Sequence, residues 1–288
     1  MPETMPGLIR AEHEARYWWA AGAVGGKEVL DAGCGVGYGA GILAEAGASR
    51  IVGVDIAGEA IENAILRADP IGEFVVGDLE QLPFTPCSFD VVVCFEVIEH
   101  VHRRELVLDE LRRVLRPDGV LILSSPNRNV YLPGNPHHVH EYTPSELHAA
   151  LMQRFRRVAL YRQHQWISSL ITDDVGLQAR SSGVEVAASV RKVAGVAPGE
   201  EVYTLAVAAG GSLPVMLGTA ILTDAIDLRW WHDKVTASER ELDALTGSVS
   251  WRITAPLRSA GRRLGRRRAA LPLRTERRRA GLSSPGTT

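Results

Sequence analysis

Cysteine is scarce: Cys34, Cys87 and Cys94 are the three in 288 residues. An odd number without paired spacing offers no disulfide framework and suits a reducing compartment, so the chain is expected in the cytoplasm. The N-terminal stretch MPETMPGLIRAEHEARYWW lacks the apolar core of a secretory signal. Residues 202–223 carry no charge and are long enough to cross a bilayer. Gly210-Gly211-Ser212 and Pro214 interrupt them, however, which favours an apolar strand over 203–209 followed by a loop. Residues 25–225 hold no aromatic-rich basic groove, so a nucleic-acid partner is not supported. No internal repeat is evident. Acids are nearly missing from one end: residues 251–288 contain eleven arginines and one acid, Glu276. That is a local charge of +10, which leaves −12 on the first 250 residues of a chain whose formal net charge is −2.

What is present is a regular alternation. Hydrophobic residues make up 45% of the chain, enough for one α/β domain with an appendage. Residues 1–24 carry a helix, read over 8–24, expected to cover a ligand crevice. Strands follow at EVLD (28–31), RIVGVD (50–55), EFVVG (73–77), the nearly all-apolar 89–95 and VLILS (120–124). Helices fall between them at 38–47, 57–67 and 103–115, the last closed by the turn signal Arg116-Pro117-Asp118-Gly119. Strand and helix at this pitch mean βαβ units and a parallel sheet. Thr143 with Glu146 is a capping box for a helix over 144–154. Last strands are expected at 157–163 and 202–209, separated by an irregular insert at 166–200. Within 213–250, a linker leads to a helix at 227–246 with an apolar stripe (Leu228, Trp231, Val235, Leu242, Leu245) that suits docking on its own domain or pairing with a second copy.

The sequence Asp31-Ala-Gly33-Cys-Gly35-Val-Gly37 sits where the first strand meets the first helix. Glycines there let the backbone turn tightly and approach a ligand. This crevice is the nucleotide-binding point of a doubly wound sheet. Asp55 ends the second strand, 22 residues after Gly33, where a carboxylate can accept both ribose hydroxyls. The third glycine of a dinucleotide fingerprint falls on Tyr38, or on Ala40, which the pattern still allows; the GxGxG spacing preceded by Asp31 fits another ligand better.

VLDAGCGVGYG, VGVD, GDLEQLPF, FDVVVCFEVIEHV and RPDGVLILSSPN, in that order and spacing, resemble the class I S-adenosylmethionine-dependent methyltransferases over about residues 25–125, with weaker features to about 210. The resemblance implies a Rossmann-like α/β fold, with a seven-stranded, mostly parallel sheet and a reversed last hairpin, over 25–212. It implies that Gly33, Gly35 and Gly37 approach S-adenosylmethionine and that Asp31 orients the loop near the methionine end. Asp55 with Ile56 would hold the ribose, Asp78 and Leu79 would flank the adenine, and Phe95 would line the site.

Three readings compete for FEVIEH at 95–100. Acids in a first helical turn favour the positive end of the helix dipole, with His100 merely filling space. His100 can instead act as general base on an attacking hydroxyl. A helix starting near Glu96 would put Glu96, Glu99 and His100 on one face, which suits a divalent cation. The loop NPHHVHEYT at 135–143 offers further histidines. Plant-type small-RNA 2′-O-methyltransferases and ubiquinone-pathway O-methyltransferases are similar here. Their E-x-x-E-H cluster and later histidine imply His138 as fourth ligand, with His137 and His140 at the entrance; His100 and Glu99 are the candidate catalytic residues. Oxygen-rich ligation suits Mg²⁺ or Mn²⁺, and histidine leaves Zn²⁺ open.

NPHHVHEYTPSEL further resembles a segment of bacterial methyltransferases acting on sugars and polysaccharides. Residues 250–258, SWRITAPLR, resemble a short motif of bacterial glycan-assembly enzymes. Together they imply O-methylation of a sugar or glycan acceptor. The Arg-rich tail at 251–288 would hold the enzyme at the inner face of an anionic membrane, or remain a solvated terminus. The alternatives are a small-molecule O-methyltransferase acting on a quinone-precursor-like or secondary-metabolite acceptor, and a non-catalytic methyltransferase-like module tethering a glycan-assembly complex.

Overall fold

The computed structural model describes residues 7–67, 72–131, 135–164, 195, 197–220 and 228–248. Most of the irregular insert expected at 166–200, and all of the Arg-rich 251–288, lie outside the described residues. The chain divides into two compact units, Met1–Ala225 and Ile226–Thr288.

In the first unit, helix α1 (Gly7–Ala21) precedes β1 (Glu28–Ala32), α2 (Tyr38–Glu45), β2 (Arg50–Asp55), α3 (Gly58–Arg67), β3 (Gly72–Val76) and β4 (Phe89–Cys94). A 3-10 turn (Ile98–His100), α4 (Arg104–Val114), β5 (Leu115–Pro126), α5 (Pro144–Met152), β6 (Arg157–Gln163) and β7 (Tyr203–Ala209) follow. The strands form one sheet in the order β3-β2-β1-β4-β5-β7-β6. β1 to β5 run parallel, and β7 runs antiparallel to both β5 and β6. This is the seven-stranded sheet with a reversed final hairpin.

Period-two alternation distributes the strand residues between two cores. Leu30, Val52, Val92 and Leu121 pack on the face with Leu108, Leu111, Leu147 and Leu151 of α4 and α5. Their neighbours Val29, Ile51, Val91 and Ile122 pack on the other face with Leu43 of α2 and with Tyr17 and Trp19 of α1. Both faces are covered, which explains why β4 is apolar at nearly every position. The Thr143 capping box forms: its side chain accepts from Glu146 N–H, and the Glu146 carboxylate accepts from Thr143 N–H.

One boundary differs from the sequence reading. β5 begins at Leu115, so the turn signal at 116–119 lies inside the strand. Phe89 pairs with Leu115 and Val91 with Val120, so the four residues 116–119 bulge out between two successive β4 contacts. Arg116 on this bulge pairs with Asp90 at 2.7 Å.

In the second unit the described part is helix α6 (Leu228–Gly247), on which Leu242 and Leu245 are exposed. Among the described residues no helix is long and apolar enough to cross a membrane.

Candidate functional site

The first part of the site is a cradle built where β1 and β2 end. Gly33 and Gly37 both have left-handed backbone, at φ +85° and +76°. A Cβ on Gly33 would overlap Val97 Cγ2, and one on Gly37 would lie 2.8 Å from Ala64 Cβ. Neither position has room for a side chain, so the loop stays pressed to the sheet and its outer face is bare backbone. Asp55 closes the cradle. Its carboxylate accepts from Gly35 N–H and from Ala57 N–H, each at 2.9 Å, and lone pairs remain for a ligand. Beside it Ile56 is exposed, a bare apolar side chain at a strand end. Asp78 is exposed next to buried Leu79 and is held by Glu80 N–H at 2.8 Å. Asp31 is fully buried at the end of β1. Burial raises its pKa to about 7; the Tyr17 hydrogen bond opposes that rise and Asp55 adds to it.

Sequence reasoning placed a helix over this region but missed the roles of Glu12, Arg16 and Tyr17 on it. Tyr17 donates to both Asp31 carboxylate oxygens, at 3.0 and 3.2 Å, and meets Phe95 edge-to-face at 5.2 Å. Arg16 lies over the Tyr203 ring at 4.2 Å, donates from Nε to Gln163 at 2.7 Å and has both Nη atoms buried without a hydrogen-bond partner. Glu12 accepts from Tyr203 O–H at 3.1 Å, and its Oε1 is buried without a partner. Burial raises the Glu12 pKa. The sequence shows only that Glu12 and Arg16 are four residues apart, on one helix face.

The FEVIEH segment splits in two. The expected helix does not start at Glu96. That residue has φ +54°, and the turn begins at Ile98. Left-handed backbone at a residue with a Cβ costs on the order of 1–3 kcal/mol and is held here by Ser124. Glu96 N–H donates to Ser124 Oγ at 3.0 Å, and Ser124 Oγ donates back to Glu96 Oε1 at 2.8 Å. The Glu96 carboxylate lies 3.7 Å from Arg16 Nη2. It therefore stands apart from the group it was expected to join.

Glu99, His100 and His138 do converge, with ligand atoms all within 4.8 Å of one another. Atoms sharing an ion at about 2.1 Å lie at most about 4.2 Å apart, so small side-chain rotations close the group. Glu99 is fully buried and, among the described residues, neither carboxylate oxygen accepts a hydrogen bond from another residue. Burial, then the Glu96 charge, push its pKa well above the usual carboxylate range. An orphaned buried carboxylate beside two imidazoles fits a cation. The histidine loop is stitched to the same place: Val139 and His140 N–H donate to the Glu99 carbonyl at 2.8 and 3.2 Å. His140 is part-buried against Tyr142, while His137 is exposed. Tyr131 stacks on His138 at 5.5 Å and meets Tyr203 at 5.8 Å, so one aromatic wall links the two halves of the site.

Comparison with known proteins agrees with this geometry. Residues 30–123 match the methyltransferase-domain family model. A probable S-adenosylmethionine-dependent methyltransferase of Mycolicibacterium smegmatis is 32% identical over 246 residues, covering 83% of this chain and 88% of that protein. A ubiquinone biosynthesis O-methyltransferase of Neisseria meningitidis is 30% identical, over 56% of this chain and 65% of its own length. The putative methyltransferase solved with the Haloferax volcanii Trm112 activator shares the fold, with TM-score 0.52 and 20% identity over 71% of this chain and 92% of that one. The chain belongs to the class I S-adenosylmethionine-dependent methyltransferases.

Proposed function

We propose that this methyltransferase acts on a hydroxyl of a sugar or glycan, with a divalent cation held by Glu99, His100 and His138. The observation that carries the reading is Glu99: a fully buried carboxylate to which no other described residue donates, beside two imidazoles and just beyond the end of β4. An alkyl hydroxyl is a poor nucleophile at neutral pH, and a divalent cation supplies the Lewis acidity that acidifies one. The chain's own residues do the rest. The cradle of Gly33, Gly37 and Asp55 would hold the cofactor, whose sulfonium would supply the methyl group. Phe95 and Tyr17 pack edge-to-face and keep water from the methionine end. With the cofactor bound, the acceptor oxygen would bond to the methyl carbon as the S–C bond breaks, and the hydroxyl proton would pass to the Glu99 carboxylate.

Vicinal hydroxyls suit such a site because two oxygens fix the acceptor's orientation. The likeness of residues 135–147 to sugar methyltransferases favours a glycan. A quinone-precursor acceptor is the second reading. It is favoured by the Tyr131–His138 stack, a flat surface for an aromatic diol, and by the ubiquinone biosynthesis O-methyltransferases among the relatives. The test is transfer of labelled methyl from S-adenosylmethionine to a panel of glycans, free sugars and catechols, with and without a chelator. Chelator-sensitive labelling of glycans supports the reading. Labelling of catechols alone refutes the sugar acceptor, and indifference to chelation refutes the cation.

We further propose that the basic residues 251–288 hold the enzyme against anionic lipid. Deleting 250–288 should then abolish co-sedimentation with phosphatidylglycerol vesicles; unchanged sedimentation rejects the tether.

A further inference from the structure

The hydrogen bonds behind the two histidines settle which nitrogen each presents. His100 Nδ1 lies 3.0 Å from the His137 carbonyl oxygen. A carbonyl only accepts, so Nδ1 carries the proton and the lone pair is on Nε2. His138 Nδ1 lies 2.6 Å from Glu141 Oε1, a short charge-assisted contact. The two side chains are only 8% and 15% exposed, so water screens the contact little. His138 therefore also donates from Nδ1 and presents Nε2. Both rings are oriented from behind by an acceptor, the arrangement that metal-binding histidines require.

This changes the donor set. The carboxylates near His138 have different jobs: Glu99 faces the open group without a partner, Glu141 backs His138, and Glu96 is engaged by Ser124 and Arg16. Two imidazole nitrogens and one carboxylate are a nitrogen-rich site. Mg²⁺ prefers oxygen ligands and loses water reluctantly, whereas Mn²⁺, Co²⁺ and Zn²⁺ accept imidazole readily.

We propose that Glu141 is the positioning residue of a two-histidine, one-carboxylate site that takes a transition-metal ion in preference to Mg²⁺, with Glu96 outside it. The inference rests on the cation reading of the same cluster and adds which carboxylate orients, which is excluded and which ions bind. The loop geometry supports it, because the Glu99 carbonyl ties residues 139 and 140 to the turn that carries Glu99 and His100. The orienting group and the ligand it orients are thus fixed to one anchor.

The experiment uses the full chain, stripped with a chelator and dialysed, then titrated with Co²⁺ by visible absorption and equilibrium dialysis. S-adenosylhomocysteine binding and melting temperature are measured on every variant to verify folding. The wild type should bind one equivalent, and excess Mg²⁺ should not displace it. Glu141→Ala should weaken Co²⁺ binding by about 10–100-fold and alter the absorption band. Glu141→Gln keeps an acceptor for His138 Nδ1–H and should recover most of the affinity, which a merely structural role would not require. Glu96→Gln should leave affinity and band unchanged. Wild-type affinity and spectrum in Glu141→Ala would overturn the positioning role while the cation reading survives. A loss in Glu96→Gln equal to that in Glu99→Gln, or displacement by Mg²⁺, would overturn the donor set. No uptake of Co²⁺ by the wild type would remove the cation reading and this inference with it.

Discussion

Glu99→Met should make the protein more stable and inactive at once. Glu99 is fully buried, and no other described residue donates a hydrogen bond to its two oxygens. Leaving a buried polar group unsatisfied costs about 1–3 kcal/mol. Methionine has nearly the same length and no polar oxygen, so the cost should be recovered. In a domain of this size 1 kcal/mol moves the melting temperature by roughly 2–4 °C, so a rise of about 2–12 °C is expected with chelator present. Its pH dependence has a definite sign. Burial and the Glu96 charge raise the Glu99 pKa, so in the wild type the stability of the neutral form is lost as pH rises. The advantage of Glu99→Met therefore grows toward alkaline pH. Added Mn²⁺ should stabilise the wild type by mass action and leave the variant unmoved. Differential scanning fluorimetry with chelator and with Mn²⁺, across a pH series, reads all of this. A variant less stable than wild type in chelator at every pH would refute the reasoning, since Glu99 would then be satisfied and structural.

Other perturbations test other links. Gly33→Ala places a Cβ into Val97 at φ +85°, so left-handed strain of about 1–2 kcal/mol adds to overpacking of about 1–3 kcal/mol. Denaturant unfolding should show that loss, and calorimetry should show weaker S-adenosylhomocysteine binding; unchanged values would mean the loop is not pressed to the sheet. Asp31 has a pKa of about 7, so a cationic ligand group beside it binds best once it has ionised. S-adenosylhomocysteine affinity should fall by up to about tenfold per pH unit below 7 and be nearly flat in Asp31→Asn; an equal slope in both rejects the contact. Thr143→Ala removes one half of the capping box and should cost about 1 kcal/mol in denaturant unfolding; no loss would mean the cap is idle.

Much of the fold was legible because backbone and burial agree locally. Apolar runs at β1, β2 and β4, each meeting a glycine or an acid at its end, gave the sheet and its crevice. The start of β5 was not legible: Arg116-Pro117-Asp118-Gly119 reads as a turn, and only the pairing of Phe89 with Leu115 makes it a bulge within a strand. The turn after β1 could be read because its left-handed, closely packed backbone requires glycine. The roles of Arg16 and Glu12 on α1 could not, since they look like an ordinary solvated i, i+4 pair until Tyr203 and Gln163 arrive from strands some 150 residues or more away. Glu96 misled for a related reason. Its spacing to Glu99 and His100 has helical meaning only if the backbone at 96 is helical, and contact with Ser124 holds it left-handed.

The most direct test of the central claim is a crystal of the protein with S-adenosylhomocysteine and Mn²⁺, with anomalous scattering recorded at the manganese edge. The account predicts the nucleoside over the Gly33–Gly37 cradle and one anomalous peak among Glu99, His100 and His138. The nucleoside in place with no peak at those three side chains, or a peak on Glu96 instead, would contradict it.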